Sequence, residues 1–241
     1  MPVFIRVLLL LFTFLAAGFH LPADDHVIYE ATRTYMGRTT PVMTMEYWYS
    51  ENKAVLISQG RMTIYRYDLG KRWLVLPELK RYFEESLPAS NKGESKDEFR
   101  IQDYGFRYQK NYHWRAVETG KTELRNGKNC REVILYGEDD YSEETRQMWL
   151  AVYFPVNIPR FFKLFMNAES DPALFSLFEK TPILRQNLLV EGTYSEEPPI
   201  APTIVWNRRL VKAESIEAPS GIYEIPEGMT KVNSLEELYA R

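Results

Sequence analysis

Between Val42 and Tyr49 the chain alternates. Met43, Met45, Tyr47 and Tyr49 fall on one side of an extended backbone, and Val42, Thr44, Glu46 and Trp48 on the other. A strand repeats every two residues, so this spacing of aromatic and branched residues argues a β-strand with two distinct faces. Breakers then recur at short intervals, at Ser58-Gln59-Gly60, at Asp68-Leu69-Gly70-Lys71 and at Pro77. They leave Arg61 to Asp68, Arg72 to Leu76 and Arg81 to Glu84 as further short strands. Strands this short, joined by turns this tight, predict an antiparallel meander from His26 to Glu84.

Ser86 to Lys96 carries Pro88, Gly93 and mixed charge with few apolar residues, and reads as a loop. Strands resume over Tyr112 to Thr119, Cys130 to Tyr136 and Thr145 to Val152. The acidic run Glu138 to Glu144 between the last two lacks the Asp-x-Asp-x-Asp-Gly spacing of a calcium loop. It reads as a solvated hairpin loop. Ile158, Phe161, Phe162 and Phe165 then recur at i, i+3, i+4 and i+7, the stripe of one helical face. Pro155 and Pro159 mark the start of that helix. Ser170-Asp171-Pro172 reads as a cap and first turn of a second helix, whose stripe is Leu174, Phe175, Leu177 and Phe178. Pro182 is expected to end it. Strands return at Leu188 to Tyr194 and Thr203 to Ile216, around a turn at Glu197 to Pro202. A last short strand is expected at Ile222 to Ile225, and a terminal helical turn at Ser234 to Tyr239. The expected fold class is mainly β with a few helices (α+β): a curved antiparallel sheet, or incomplete β-barrel, with helices covering its open side.

The N-terminus has the layout of an export signal. Arg6 is its only charge, and Val7 to Ala17 is apolar apart from Thr13. That run is shorter than the ~20 residues of a membrane span and fits a secretory signal. Small residues follow at Ala16, Ala17, Gly18 and Ala23, with the polar Asp24-Asp25 directly after. Residues 1–23 are expected to be a cleaved signal peptide, and residues 24–241 a single domain. Leu15-Ala16-Ala17-Gly18 resembles the start of a lipoprotein signal, but Phe19 stands where that signal requires Cys. The expectation is a protein with no stable membrane anchor. The balance of 30 Lys and Arg against 33 Asp and Glu gives no support for nucleic-acid binding. Cys130 is the only cysteine, so it is either a buried small hydrophobe or a thiol that pairs between chains. No Asn-x-Ser/Thr site is present. A Gram-negative periplasm is the expected destination.

Catalytic chemistry finds little to work with. There is no Gly-x-Ser-x-Gly elbow, no Cys/His cluster at zinc spacing and no phosphate-cradling glycine motif. Beyond the signal the only histidines are His26 and His113. No catalytic residue, metal ligand or cofactor is assigned, and the chain is not expected to be an enzyme. What stands out is 16 Tyr, 13 Phe, 5 Trp and 8 Met, many on alternating strand positions or helical stripes. A curved sheet with few helices leaves its concave face to close on itself or to receive something apolar. Met and Phe adapt to ligands of varied shape. The expected ligand-binding residues are Met43, Met45, Tyr47, Trp73, Trp149, Ile158, Phe161, Phe162, Phe165, Leu174 and Phe178. Burying an acyl chain of about fourteen methylenes at ~0.8 kcal/mol each offers roughly 11 kcal/mol. Association takes back about 4 kcal/mol or more, which leaves a favourable sum.

Several short stretches carry a resemblance. They are Gly60-Arg61-Met62, Tyr65-Arg66-Tyr67-Asp68, Lys71-Arg72-Trp73, Leu76-Pro77-Glu78, Lys80-Arg81-Tyr82, Gly127 to Glu132, Met148-Trp149-Leu150 and Ile225 to Met229. In that order, from about His26 to Val232, they resemble an exported bacterial family similar to the Lol-type periplasmic lipoprotein carriers (LolA/LolB-like). The resemblance implies an incomplete, strongly curved antiparallel barrel plugged by helices, whose cavity in the Lol carriers accepts lipoprotein acyl chains. It assigns no catalytic role to Arg61, Arg66, Asp68 or Tyr82, and Arg66 with Asp68 reads as a turn-stabilising pair. The chain departs from the Lol carriers in the Ser86–Lys96 loop and in its extended C-terminal strands. The function expected is a periplasmic binding or carrier protein for a lipid, a lipoprotein acyl chain or another hydrophobic ligand. The alternative is an envelope structural protein with a filled barrel that binds a protein partner.

Overall fold

The computed structural model describes residues 24–87, 99–100, 107–108, 112–139, 142–166, 172–197 and 202–240. The export signal, nearly all of the 86–96 loop, the middle of the acidic run, the Ser170-Asp171 cap and most of the 197–202 turn lie outside them. The strands are β1 Asp24–Tyr35, β2 Arg38–Thr39, β3 Met43–Tyr49, β4 Lys53–Ser58, β5 Arg61–Arg66, β6 Lys71–Leu76 and β7 Arg81–Ser86. They continue with β8 Phe99–Arg100, β9 Arg107–Tyr108, β10 His113–Arg125, β11 Lys128–Glu138, β12 Glu143–Ala151, β13 Leu188–Glu197, β14 Ile204–Ile216 and β15 Thr230–Val232. The helices are α1 Ile158–Phe161, which runs on as a π-turn over Phe162–Met166, then α2 Pro172–Lys180, α3 Pro182–Gln186 and α4 Leu235–Tyr239.

One large sheet holds all but the small β8–β9 pair. Its order is β10-β11-β12-β13-β14-β1-β3-β4-β5-β6-β7-β15, with β2 on β1. Every pairing is antiparallel except β15 on β7. The first strand therefore lies in the middle. Hairpins add β3 to β7 on one side of it, as the meander predicted. The C-terminal meander adds β10 to β14 on the other, and β14 closes onto β1 from Asp24 opposite Ile216 to Tyr35 opposite Ile204. Tight turns do the local work: Gly70 at φ +63° ends the Asp68–Gly70 turn, where the Leu69 and Gly70 amides donate to the Arg66 and Tyr67 carbonyls.

The sheet bends around its helices. Phe165 of the π-turn meets Tyr65 on β5 at 5.9 Å, Phe162 meets Phe178 of α2 at 5.1 Å, and α2 packs on β10. β5 and β10 are eight strand spacings apart in the sheet order, roughly 38 Å if the sheet were flat at ~4.8 Å per strand. Two short, touching helical segments span that only if the sheet curves toward them. Irregularities at Ile28/Tyr29, Glu118/Thr122 and Trp149/Leu150 supply local bends. The fold class is as expected: a curved, open antiparallel sheet with helices on its concave side.

The convex face differs between the halves. Over β3 to β6, Trp48, Val55, Ile64, Trp73 and Val75 form a second apolar layer, covered by Ala218, Ile222, Tyr223, Ile225 and Met229. This crossing segment explains a correction: Ile222 to Ile225 is not a strand but a turn-rich strap, and the edge pairing falls instead on β15. Arg66 grips Asp68 bidentately at 2.8 Å, the expected turn pair, and also holds Glu224 of the strap at 2.6 Å. Glu84 accepts from Trp73 and pairs with Lys71 and Lys231, and these donors hold its carboxyl down at about 2. Over β10 to β13 the convex face mixes polar groups with a small apolar cluster of Cys130, Trp149, Ala151 and Val190. Buried Glu132 accepts from Thr119 and Gln147 and pairs with Lys121. Cys130 is buried there beside Trp149, the first of its two expected states. Two extents were also underread. β10 runs six residues past Thr119, and Pro182 both ends α2 and opens α3 behind Thr181.

Candidate functional site

The concave face has a plugged end and an open end. At the plugged end, α1 is fastened to β1 by polar contacts. Asn157 caps it by accepting from the Arg160 amide at 3.0 Å, and its own amide donates to Asp25 Oδ2 at 3.2 Å. Arg160 lies 3.6 Å from the same carboxylate. Burial pushes the Asp25 carboxyl upward, and the Asn157 amide and Arg160 only partly oppose it. From this anchor the aromatic stripe descends onto the sheet. Phe161 and Phe165 meet Tyr47 edge-on at 5.2 and 4.9 Å and Tyr49 at 5.5 and 5.9 Å, geometry that rings favour. Tyr67 donates to the Leu164 carbonyl. This bond ties the π-turn to the sheet.

Eight of the eleven expected ligand-binding residues meet here. Met45, Tyr47, Ile158, Phe161, Phe162, Phe165, Leu174 and Phe178 belong to one apolar cluster. Met43 lies two residues beyond Met45 on the same strand face, half-buried, and accepts from Gln59. Trp73 and Trp149 are not on this face. Trp73 stands beside Val75 on the convex layer, and Trp149 points out between the inward Met148 and Leu150. Parity decides both: each is one residue out of step with its inward neighbours.

Residues missed in the sequence complete the plug. Tyr29, Tyr49, Tyr65, Leu164 and Leu184 are fully buried. Tyr29 donates to the Leu189 carbonyl at 3.0 Å, while the buried Tyr49 hydroxyl has no hydrogen-bond partner among the described residues. Burial, with the Asp25 charge second, pushes that hydroxyl well above its usual range. Met45, Leu56, Phe161, Phe162 and Leu177 pack against this core yet keep part of their surface exposed.

The open end is built differently. Arg146, Tyr194, Trp206 and Arg33 are successive cross-strand partners over β12, β13, β14 and β1. The Arg146 guanidinium lies 5.4 Å from the Tyr194 ring and 5.0 Å from Trp114. Arg33 lies 5.6 Å from Trp206 and 5.5 Å from Tyr35, and Arg208 5.7 Å from Tyr29 and 5.6 Å from Tyr194. Trp114 lies flat across Gly137, where a Cβ would meet its ring at 2.8 Å. The i, i+2 spacing of Trp206, Arg208 and Leu210 marks one face in the sequence. Its meeting with Arg33 depends on a pairing more than 170 residues distant.

Among the described residues, no three His, Cys, Asp or Glu side chains gather as a metal site, and no helix is long and apolar enough to cross a membrane. No protein-family model matches the sequence, and no curated protein matches it. Two solved structures are similar in shape. A DUF1329 family protein from Desulfovibrio piger is 10% identical at a TM-score of 0.34, with 85% of this chain and 91% of that one covered. A LolA superfamily protein from Nitrosomonas europaea is 9% identical at a TM-score of 0.32, with 84% of this chain and 90% of that one covered.

Proposed function

We propose that this is an exported, non-catalytic binding or carrier protein of the bacterial periplasm. It works as one domain and takes a lipid, a lipoprotein acyl chain or another hydrophobic ligand on the concave face of its sheet. The observation that carries this reading is the half-buried apolar group of Met45, Leu56, Phe161, Phe162 and Leu177. Apolar surface gathered on one concave face, rather than scattered, marks a place where something apolar docks. Two of these side chains belong to α1 and its π-turn, and π-turns recur at functional sites. A ligand slipping between them and Met45 and Leu56 would cover surface that the fold leaves wet.

Native mass spectrometry and lipid extraction of protein purified from a periplasm test this. The expected result is a co-purifying lipid, displaced by an added fatty acid. Protein that arrives empty and binds no long-chain probe sinks the carrier reading. A second reading is a filled barrel that binds an envelope protein, favoured by the complete burial of Tyr29, Tyr49 and Tyr65. It predicts empty protein and a pull-down with one stable protein partner.

A further inference from the structure

We propose that the concave face takes its apolar ligand as one extended chain, laid across β3 to β6 in a trough between the π-turn and the C-terminal helix α4. The inference rests on the carrier reading and narrows its ligand to a single-chain lipid. Strand register fixes the floor of the trough. Tyr47 pairs with Leu56, Leu56 with Thr63 and Thr63 with Leu74. Directly opposed residues share a face, and this is the face on which Tyr47 meets Phe161 and Phe165. Leu56, Thr63 and Leu74 are all half-buried. Thr63 is shorter than the leucine on either side of it, so the row dips at its centre.

Walls stand on both sides of this row. Toward the plugged end, Phe165 meets Tyr65, two residues along β5 from Thr63, at 5.9 Å. Toward the open end stands α4. Its Leu238 is buried with Leu76 and Val232, and Arg81 donates to the Glu237 and Ala240 carbonyls at 2.9 and 2.6 Å. Leu235 and Tyr239, one turn apart on α4, are nonetheless 41% and 48% exposed. The Arg61 guanidinium, two residues from Thr63 in the other direction, lies 5.3 Å from the Tyr239 ring and holds it on the side opposite Phe165. Tyr65 and Arg61 are four residues apart on one strand, ~13 Å at ~3.3 Å per residue. Non-bonded carbons keep ~4 Å apart, so one chain between two rings takes up about 8 Å and a second brings this to about 12 Å. Phe165 also reaches Tyr47 in the floor row itself, at 4.9 Å, which narrows the gap further. The trough therefore admits one chain and not two side by side. From Met45 on β3 to Leu74 on β6 it spans three strand spacings, ~14 Å. It begins in the half-buried group of Met45 and Leu56.

The test is equilibrium dialysis of the full chain against two lipids with one head group and equal acyl carbon count, both kept below micelle formation. One is a lysophosphatidylcholine with a single sixteen-carbon chain, the other a phosphatidylcholine with two eight-carbon chains. The single-chain lipid should bind at least tenfold more tightly. Thr63→Phe fills the dip in the floor and should lower that affinity at least tenfold, with the melting temperature unchanged. Tyr239→Ala removes an exposed wall and should narrow the difference between the two lipids. Equal binding of both lipids by the wild-type chain overturns the inference and leaves the carrier reading standing. So does wild-type affinity in folded Thr63→Phe, which would place the ligand elsewhere on the face. If Thr63→Phe does not fold, Tyr239→Ala decides, and an unchanged ratio of the two affinities overturns the trough. Binding of neither lipid overturns both readings.

Discussion

At the plugged end of the concave face, Tyr47, Tyr49 and Tyr65 meet Phe161 and Phe165 edge to face. At the open end, Tyr35, Tyr194 and Trp206 meet the guanidinium groups of Arg33, Arg146 and Arg208. One residue class serves both ends, and what faces the rings differs. Ring against ring can leave water completely, so Tyr49, Tyr65 and Phe165 are buried. Ring against cation cannot, because a desolvated charge is costly without a paired anion. The rings and cations of the open row accordingly stay half-buried. An aromatic-rich composition therefore marks neither core nor ligand site until the partners are known.

The sharpest way to break this comparison lies at the plug. Phe165 touches three buried tyrosines, whereas Phe162 is half-buried and meets Phe161 and Phe178. Phe165→Asp removes a core ring and buries a charge, a loss of about 4 kcal/mol or more. Phe162→Asp should cost only about 1–2 kcal/mol and lower lipid binding by a larger factor. Urea denaturation beside a lipid-binding assay reads both. Equal stability losses would show that the π-turn is plain core along its whole length.

The next effect lies at the open end and concerns shape alone. Gly137→Ala places a Cβ where the Trp114 ring lies at 2.8 Å. The indole must shift, at a cost of about 1–3 kcal/mol by overpacking. Trp114 also stacks on Arg146, so its fluorescence should shift with the stability. A Gly137→Ala chain as stable as wild type would mean that the ring is not held there.

How far this division was legible in the sequence follows from the range of each signal. The alternation of Met45, Tyr47 and Tyr49, the Phe161/Phe162/Phe165 stripe and the Asp68–Gly70 turn are local, and each fell where expected. Trp73 and Trp149 lie apart from the other expected residues because strand parity turned them to the convex face. The strap at Ile222 to Ile225 resembled a strand because it is apolar. It is apolar because it covers Trp48 and Trp73, a contact with no local signal. The open row was invisible for the same reason. Arg33, Arg146 and Trp206 become neighbours only through strand pairings remote in sequence.

A smaller effect separates the ends by pH. The Asp25 carboxyl at the plug is raised by burial. The unfolded chain then gives up this proton first. Stability is highest below the unfolded value of 3.8 and falls as pH rises through it toward the raised folded value. Asp25→Asn keeps an acceptor for the Asn157 amide and removes that fall. It should therefore match wild type near pH 3 and exceed it at pH 7, by less than the loss at Gly137. Thermal unfolding at the two pH values checks the sign. A variant less stable at pH 7 would show that Arg160 outweighs burial at this carboxylate.

The smallest expected stability effect is at Arg33. Its Nε is unmet and it has no ion pair among the described residues, so what holds it is stacking on Tyr35 and Trp206. Arg33→Gln gives up two cation–π contacts of about 0.5–1 kcal/mol each at a partly exposed site. It also relieves an unsatisfied buried donor, worth about 1–3 kcal/mol in the opposite sense. The two nearly cancel, and the melting temperature should move by no more than a few degrees in either direction. Phe165 stabilises the fold, so its loss is felt without any ligand. Arg33 is held by two ring contacts and leaves its Nε unmet, so its loss should barely be felt in the ligand-free chain. A large destabilisation in ligand-free Arg33→Gln would place Arg33 with the plug and erase the distinction between the two ends.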